Sequence, residues 1–309
     1  MSTAYAPGKS ILFGEHAVVY GRPAIAAPVQ QVRAEATVQP GKAGAGVFLS
    51  APDVNWDCYL ANAPKEHPLR VIVTNTLSRL QIASEPDIVV RVSSTIPMAC
   101  GLGSGTAVSV SIVRGLAVYF GIPLSNEAVS ELTFEVEKIY HGTPSGIDNT
   151  VITYEKPVYF VKSKTLETLA VRKPFRLAIA DTGVCSPTWV AVGDVRRSWE
   201  RAPHRYDSLF DEIGNISRLA RQAIESGNPD ELGPLMNENQ RLLRAIDVSS
   251  PELETLIEAA LRAGAMGAKL SGAGRGGNII ALVSESVAWQ VEKVLREGGA
   301  HNVIVTEIT

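Results

Sequence analysis

Four short segments of this sequence place glycines, hydroxyls and charged side chains at spacings suited to handling an anion. The first is Ala6-Pro7-Gly8-Lys9-Ser10, followed by Ile11-Leu12-Phe13-Gly14-Glu15-His16. Its Gly-Lys-Ser run invites a P-loop. That motif needs a glycine five positions before Gly8, where Thr3 stands, and a helix afterwards. The residues after it read as extended, so the P-loop is rejected. What remains is a lysine and a Glu-His pair set around a strand and a turn, a make-up that also suits a charged edge strand. The second segment runs from Pro97 through Gly101, Leu102, Gly103, Ser104 and Gly105 to Thr106. Alternating glycines directly before a helix let several backbone N–H groups converge on an anion, and the helix dipole favours negative charge there. The hydroxyls of Ser104 and Thr106 suit an anion's oxygens or a magnesium ion. An ordinary glycine turn with a Ser or Thr cap has the same composition.

The third segment, His141 to Asn149, uses two glycines and a proline to deliver Asp148 in a tight turn, where it is either a working carboxylate or an Asx-turn residue. Glu137 lies eleven positions earlier, near the end of a helix. A carboxylate there opposes the helix dipole, a cost that metal binding offsets. The fourth segment, Lys269 to Gly277, matches G-x-G-x-x-G literally. A dinucleotide site needs a helix after that motif, whereas the strand-like Asn278-Ile-Ile-Ala-Leu-Val283 comes next here. That reading fails on context, although a glycine loop entering a strand still brings backbone close to a ligand.

The elements that must hold these segments alternate irregularly. Ser10–Phe13, Ala34–Val38, Ile88–Val92, Val158–Val161, Arg176–Ala180, Asn278–Val283 and Asn302–Thr306 read as strands. Arg70–Leu80, Thr106–Phe120, Glu127–Tyr140, Tyr206–Ser226, Pro229–Ala245 and Pro251–Ala263 read as helices, the second stopping at Gly121 before Pro123. The lack of a regular strand–helix period points to an α+β fold rather than a doubly wound sheet. At 309 residues the chain accommodates two domains, with the join expected between Val161 and Arg176. The net charge of −3 argues against a nucleic-acid-binding surface, and apolar runs such as Ile279–Val283 are too short to span a bilayer. The N-terminus lacks the features of a signal peptide. Three dispersed cysteines, Cys58, Cys100 and Cys185, fit reduced thiols in a cytoplasmic protein, and no Cys/His cluster suggests zinc.

Taken in order, the four segments resemble the GHMP family of small-molecule kinases, and the resemblance runs from Ala6 to Val283. APGKSILFGEHAVVYGRPAIA, HGTPSGIDN, DTGVCSPT, LMNENQRLL and KLSGAGRGG are most similar to the members that phosphorylate mevalonate. The resemblance implies a domain like the second domain of ribosomal protein S5 over residues 1–170 and a ferredoxin-like domain over 171–309, with ATP and substrate in the cleft between them. It implies that Asp148 acts as base or orients the acceptor hydroxyl, with Lys9 beside it to stabilise the transferring phosphoryl group. Pro97, Gly101, Leu102, Gly103, Ser104, Gly105, Thr106 and Gly274 would surround the ATP phosphates. Ser104 and Glu137 would hold Mg2+, and Glu15, His16 and Thr188 would face the substrate. A homodimer acting on small molecules is implied by the same resemblance, while the charge and the short apolar runs leave no nucleic-acid or membrane partner expected.

Two positions depart from the family pattern. Gly105 replaces the second serine of a phosphate loop that normally reads GLGSSA, leaving Ser104 or Thr106 as the magnesium hydroxyl. Arg275 interrupts the glycines of the last motif. If that position requires a positive φ, arginine is costly there; if not, it offers an extra cation to substrate or phosphate. A phosphorylated acceptor would call for such cations, and Arg196, Arg197 and Arg275 are candidates. A sugar acceptor, or a silent metabolite-binding homologue, is the remaining alternative.

Overall fold

The computed structural model describes residues 1–97, 101–141, 144–162, 164, 166–185 and 187–309. The chain forms two compact units. One comprises Met1–Gly8, Val32–Pro97 and Gly103–Glu155; the other comprises Lys9–Gln31, 98–102 and Lys156–Thr309. Two long strands, β1 (Ser2–Phe13) and β2 (Ala24–Pro40), contribute residues to both.

In the first unit, β3 (Val47–Ala51) pairs antiparallel with β4 (Trp56–Tyr59). α1 (Pro68–Arg79) comes next. β5 (Ile88–Ser94) then runs parallel to β3 and antiparallel to Ala34–Pro40 of β2. β5 alternates, burying Ile88, Val90 and Val92, as a strand with one covered face should. Three further helices, α2 (Ser104–Phe120), α3 (Asn126–His141) and α4 (Ile147–Tyr154), pack together with α1. α2 is buried along most of its middle, from Thr106 to Ala117, which its small and apolar residues permit. It ends at Gly121, whose φ of 69° closes the last turn. The region around Asp148, expected as a tight turn, is instead this fourth helix. Its β-branched run Thr150-Val151-Ile152-Thr153 weakens local helix propensity, and burial of Ile147, Val151 and Ile152 overrides it.

In the second unit, Ala24–Ala26 of β2 pair with β6 (Val158–Phe160), which pairs with β7 (Glu167–Thr168). A separate four-stranded sheet is built from β8 (Phe175–Asp181), β9 (Gly267–Ser271), β10 (Asn278–Val283) and β11 (Asn302–Ile308). Its spatial order is β11-β8-β10-β9, with antiparallel neighbours throughout. Counting only these strands, the order is 4-1-3-2, the split βαβ arrangement expected of a ferredoxin-like domain. Between β8 and β9 lie α5 (Thr188–Arg201), α6 (Pro203–Ser226), α7 (Leu232–Ala245) and α8 (Pro251–Arg262); α9 (Glu285–Glu297) precedes β11. α5, α9 and β9 are not expected from the sequence pattern. β9 is buried at every position and too short to show a period, so its sequence reads as loop.

The contact between α7 and β9 fixes the geometry of the second unit's polar groups. Gly233 of α7 and Gly267 of β9 meet backbone to backbone. A Cβ on Gly267 would lie 2.2 Å from the Gly233 carbonyl oxygen, and one on Gly233 2.5 Å from the Met266 carbonyl oxygen. No side chain can yield there, so Gly267→Ala forces helix and strand apart. The expected cost is roughly 1–3 kcal/mol of unfolding free energy, read from equilibrium urea denaturation; wild-type stability in this variant would refute the close-approach argument.

Candidate active site

The first unit supplies the start of α2, Glu137 and Asp148. Gly103 sits before α2 with φ 75°, a left-handed conformation suited to glycine, and no side chain caps the helix. The first helical hydrogen bond runs from the Ala107 N–H to the Gly103 carbonyl (2.9 Å), which leaves the amides before it directed past the helix end. Thr106 is buried on the first turn of α2, and its hydroxyl donates to the carboxylate of Glu137, itself buried on α3. Ser104 is half-exposed. Of the two candidate hydroxyls, Thr106 is the one that the fold joins to Glu137. Asp148 occupies the first turn of α4, where the dipole favours its negative charge. Asn149 anchors that turn by donating to the hydroxyl (2.8 Å) and carbonyl (3.2 Å) of Ser130 on α3. Residues 98–100, Cys100 among them, and Gly142 and Thr143 lie outside the described residues. Pro97 and Gly101 flank the first of these gaps, and the Leu102 carbonyl accepts from the Lys9 backbone N–H (2.9 Å) within the second unit.

The second unit supplies Lys9, Glu15, His16 and the last glycine loop. Lys9 lies near the middle of β1 and is 4% exposed. Just past it, the Ser271 hydroxyl stitches β1 to the end of β9: it accepts from the Ile11 N–H (3.2 Å), donates to the Ile11 carbonyl (2.9 Å) and lies 3.1 Å from the Ser10 hydroxyl. The Glu15 side chain is fully buried, with one carboxylate oxygen ion-paired to Lys269 and the other accepting from the Asn239 amide at 3.0 Å. Lys269 also donates to the Leu270 carbonyl (2.6 Å). Burial lowers the Lys269 pKa, and Glu15 counteracts that shift. Glu15 therefore reaches inward, whereas the family resemblance implies that it faces substrate. Lys269 and Asn239 are invisible to sequence inspection as site residues, because a lysine inside a strand and an asparagine on a helix carry no local mark of function.

His16 adopts φ 60° directly after Glu15, and its Nε2 lies 2.9 Å from the Ala273 carbonyl. A carbonyl only accepts, so Nε2 carries the ring proton. Burial, opposed by that hydrogen bond and aided by the charge of Arg275, lowers its pKa to about 4. The imidazole is neutral at physiological pH.

The glycines around Ala273 serve the loop's own packing. A Cβ on Gly274 would lie 2.0 Å from the Val248 carbonyl oxygen, and one on Gly276 2.4 Å from that of Val184. The Gly277 N–H donates to the Val184 carbonyl (2.9 Å), and the Thr182 N–H and hydroxyl both donate to the Gly277 carbonyl (2.9 Å each). The Asp181-Thr182-Gly183-Val184 stretch is thus sewn to the glycine loop. Arg275 has φ 59°, so the costly alternative holds, at about 1–2 kcal/mol relative to glycine. Thr188 is exposed at the first position of α5.

Two family models match this chain: the GHMP kinases N terminal domain over residues 70–156 and GHMP kinases C terminal over 220–301. A mevalonate kinase of Thermococcus sibiricus is 32% identical over 99% of this chain and 96% of its own length. The chain belongs to the GHMP kinase family. This GHMP kinase also resembles the solved structure of L. major mevalonate kinase in complex with R-mevalonate (29% identity, TM-score 0.86, covering 100% of this chain and 96% of that one). The Methanococcus jannaschii mevalonate kinase is similar at 26% identity and TM-score 0.84, covering 99% of this chain and 96% of that one. The two-domain α+β architecture is that of the family.

The buried groups of this kinase can be probed through its stability. Lys269→Met strands the Glu15 carboxylate, at an expected cost of roughly 3–5 kcal/mol, and adding Glu15→Leu restores much of the loss; chemical denaturation of the two variants tests both halves. His16 gives a pH dependence. The unfolded chain protonates it near its ordinary 6.5, the folded chain only near 4. Unfolded molecules therefore bind the extra proton between those values, and stability falls as pH drops through that window, by about 3 kcal/mol at the limit. His16→Gln should flatten this part of the stability profile; an unchanged slope would assign it to other groups.

Proposed function

We propose that this GHMP kinase transfers the γ-phosphoryl group of ATP to the primary hydroxyl of mevalonate, giving 5-phosphomevalonate. The single observation that carries the substrate assignment is near-full-length similarity to relatives named mevalonate kinase. In the reaction the acceptor oxygen attacks the γ-phosphorus, the bond to the bridging oxygen of the departing ADP breaks, and the hydroxyl proton leaves. Asp148 receives or orients that proton, and the Lys9 ammonium offsets the charge on the transferring oxygens. Lys9 is carried by the second unit and Asp148 by the first. Gly101 to Thr106, with Pro97 and Gly274, serve the phosphates. The backbone N–H groups of Gly101 to Thr106 and Gly274 provide charge stabilisation that needs no rearrangement during reaction, whereas Pro97 has no N–H to give and only shapes the loop.

A buried carboxylate touching a hydroxyl is the hard-oxygen donor pair that suits magnesium, so the residues present fit that ion. Glu137 and Thr106 would hold it, with Ser104 a lesser candidate. Among the described residues no group of three or more His, Cys, Asp or Glu gathers as a metal site. This suits an ion that takes its remaining ligands from phosphate and water. When bound, it supplies neutralisation of phosphate charge. His16, neutral and bonded to Ala273, offers a hydrogen-bonding edge for the acceptor and Thr188 a hydroxyl, while Glu15, directly before His16, anchors the turn that carries it. A cytoplasmic homodimer acting on small molecules, without nucleic-acid or membrane partners, completes the reading. Among the described residues no helix is long and apolar enough to cross a membrane.

A coupled ADP-release assay with mevalonate, phosphomevalonate, homoserine and several sugars tests the assignment: mevalonate should be the preferred acceptor, and turnover of another compound in its place would overturn it. Asp148→Asn and Lys9→Met should each lower kcat by about 10²–10³-fold while ATP still binds, as read by equilibrium titration.

A further inference from the structure

Arg275 is the charged residue within the last glycine loop, and the proposed reaction gives it no role. It stands between Gly274 and Gly276 in the left-handed region those glycines also occupy, where arginine is disfavoured. Its side chain is tied to two other segments. Nη1 is ion-paired with Asp194 of α5, while Nε and Nη2 donate to the Asp247 carbonyl at 3.3 and 3.2 Å. Its backbone N–H donates to the Val248 carbonyl at 2.7 Å. The other carboxylate oxygen of Asp194 pairs with Arg197, so Asp194 is held between two guanidinium groups. Each guanidinium nitrogen of Arg275 thus has a protein acceptor, and turning it toward a phosphate would forfeit all three contacts. Only the planar fork of arginine reaches acceptors on two segments at once.

α5 begins at Thr188, six positions before Asp194, or about 9 Å along the helix. We infer that Arg275 is a positioning residue for the acceptor: it fixes α5 to the glycine loop through Asp194 and so holds Thr188 in place, without touching acceptor or phosphate itself. The inference rests on the proposed function only in assigning Thr188 to the acceptor side. A glycine at 275 would serve the backbone better and leave α5 unlocked; arginine exchanges local backbone ease for a fixed helix.

The test compares Arg275→Gly, Arg275→Lys, Asp194→Asn and the double variant Arg275→Gly/Asp194→Asn, using steady-state kinetics and hydrogen exchange of the α5 amides. Arg275→Gly and Asp194→Asn should each raise the acceptor KM about tenfold, leaving kcat and the ATP KM within about twofold. The double variant should be no worse than either single one, as for two residues acting through one contact. Arg275→Lys, keeping the charge without the fork, should fall between. The α5 amides should exchange faster in both single variants, with those of α8 unchanged. Additive effects in the double variant, an equal rise in the ATP KM, or unaltered α5 exchange would overturn the inference. If the wild type uses another acceptor of the panel, the substrate assignment fails, and the same KM comparison is made with that acceptor. The exchange result needs no substrate and decides separately whether the lock exists.

Discussion

Glu15 and Lys269 meet where neither side chain touches water, and much of the second unit is arranged to make that tolerable. Removing two charges from solvent costs several kcal/mol for each ion, and attraction repays it only when the remaining hydrogen-bonding capacity is met. Asn239 and the Leu270 carbonyl meet it here. The three side chains come from the turn after β1, from α7 and from β9, so the pair demands that these segments converge. Two glycines let them. Gly233 and Gly267 allow α7 and β9 to approach backbone to backbone, and Ser271 then bonds the end of β9 to β1. Lys9 and His16 inherit their places from this arrangement, one within β1 and the other directly after the buried carboxylate.

The last glycine loop shows the same economy. Its sequence invites a ligand-binding reading, yet Gly274 and Gly276 are required because the chain passes within van der Waals range of its own carbonyls at Val248 and Val184. The loop's shape is therefore set by its own packing, with no ligand needed to hold it. His16 reads that shape through the Ala273 carbonyl, and Arg275 passes it on to α5. In the first unit the equivalent tie is smaller: Thr106 bonds Glu137 across α2 and α3, and Asn149 holds the turn that presents Asp148.

Much of this is legible in the sequence wherever one segment decides its own structure. α1, α2, α3, α6, α7 and α8, and strands β5, β6, β8, β10 and β11, declare themselves by periodicity or by their bounding turn residues, whereas β1 and β2 show only Ser10–Phe13 and Ala34–Val38 of their full lengths. α4 does not, since β-branched residues mask a helix that burial creates, and Asp148 accordingly reads as a turn residue. Arg275 stands out as an interruption, but whether its backbone needs a positive φ is a matter of neighbours, and those are Val248 and Val184, 27 and 91 positions away.

The sequence by itself determined the α+β class, through the order of its elements, and the kinase family, through the residue types in the glycine loop before α2 and around Lys9 and Asp148, because element order and contiguous motifs are local. Tertiary structure alone decided that Glu15 turns inward to Lys269 and Asn239, that Thr106 rather than Ser104 meets Glu137, that His16 is neutral, and that Arg275 is bound to Asp194. Each of these depends on burial and on partners far along the chain. A charged side chain's role is set by what desolvates it and what faces it, and no run of neighbouring residues encodes either.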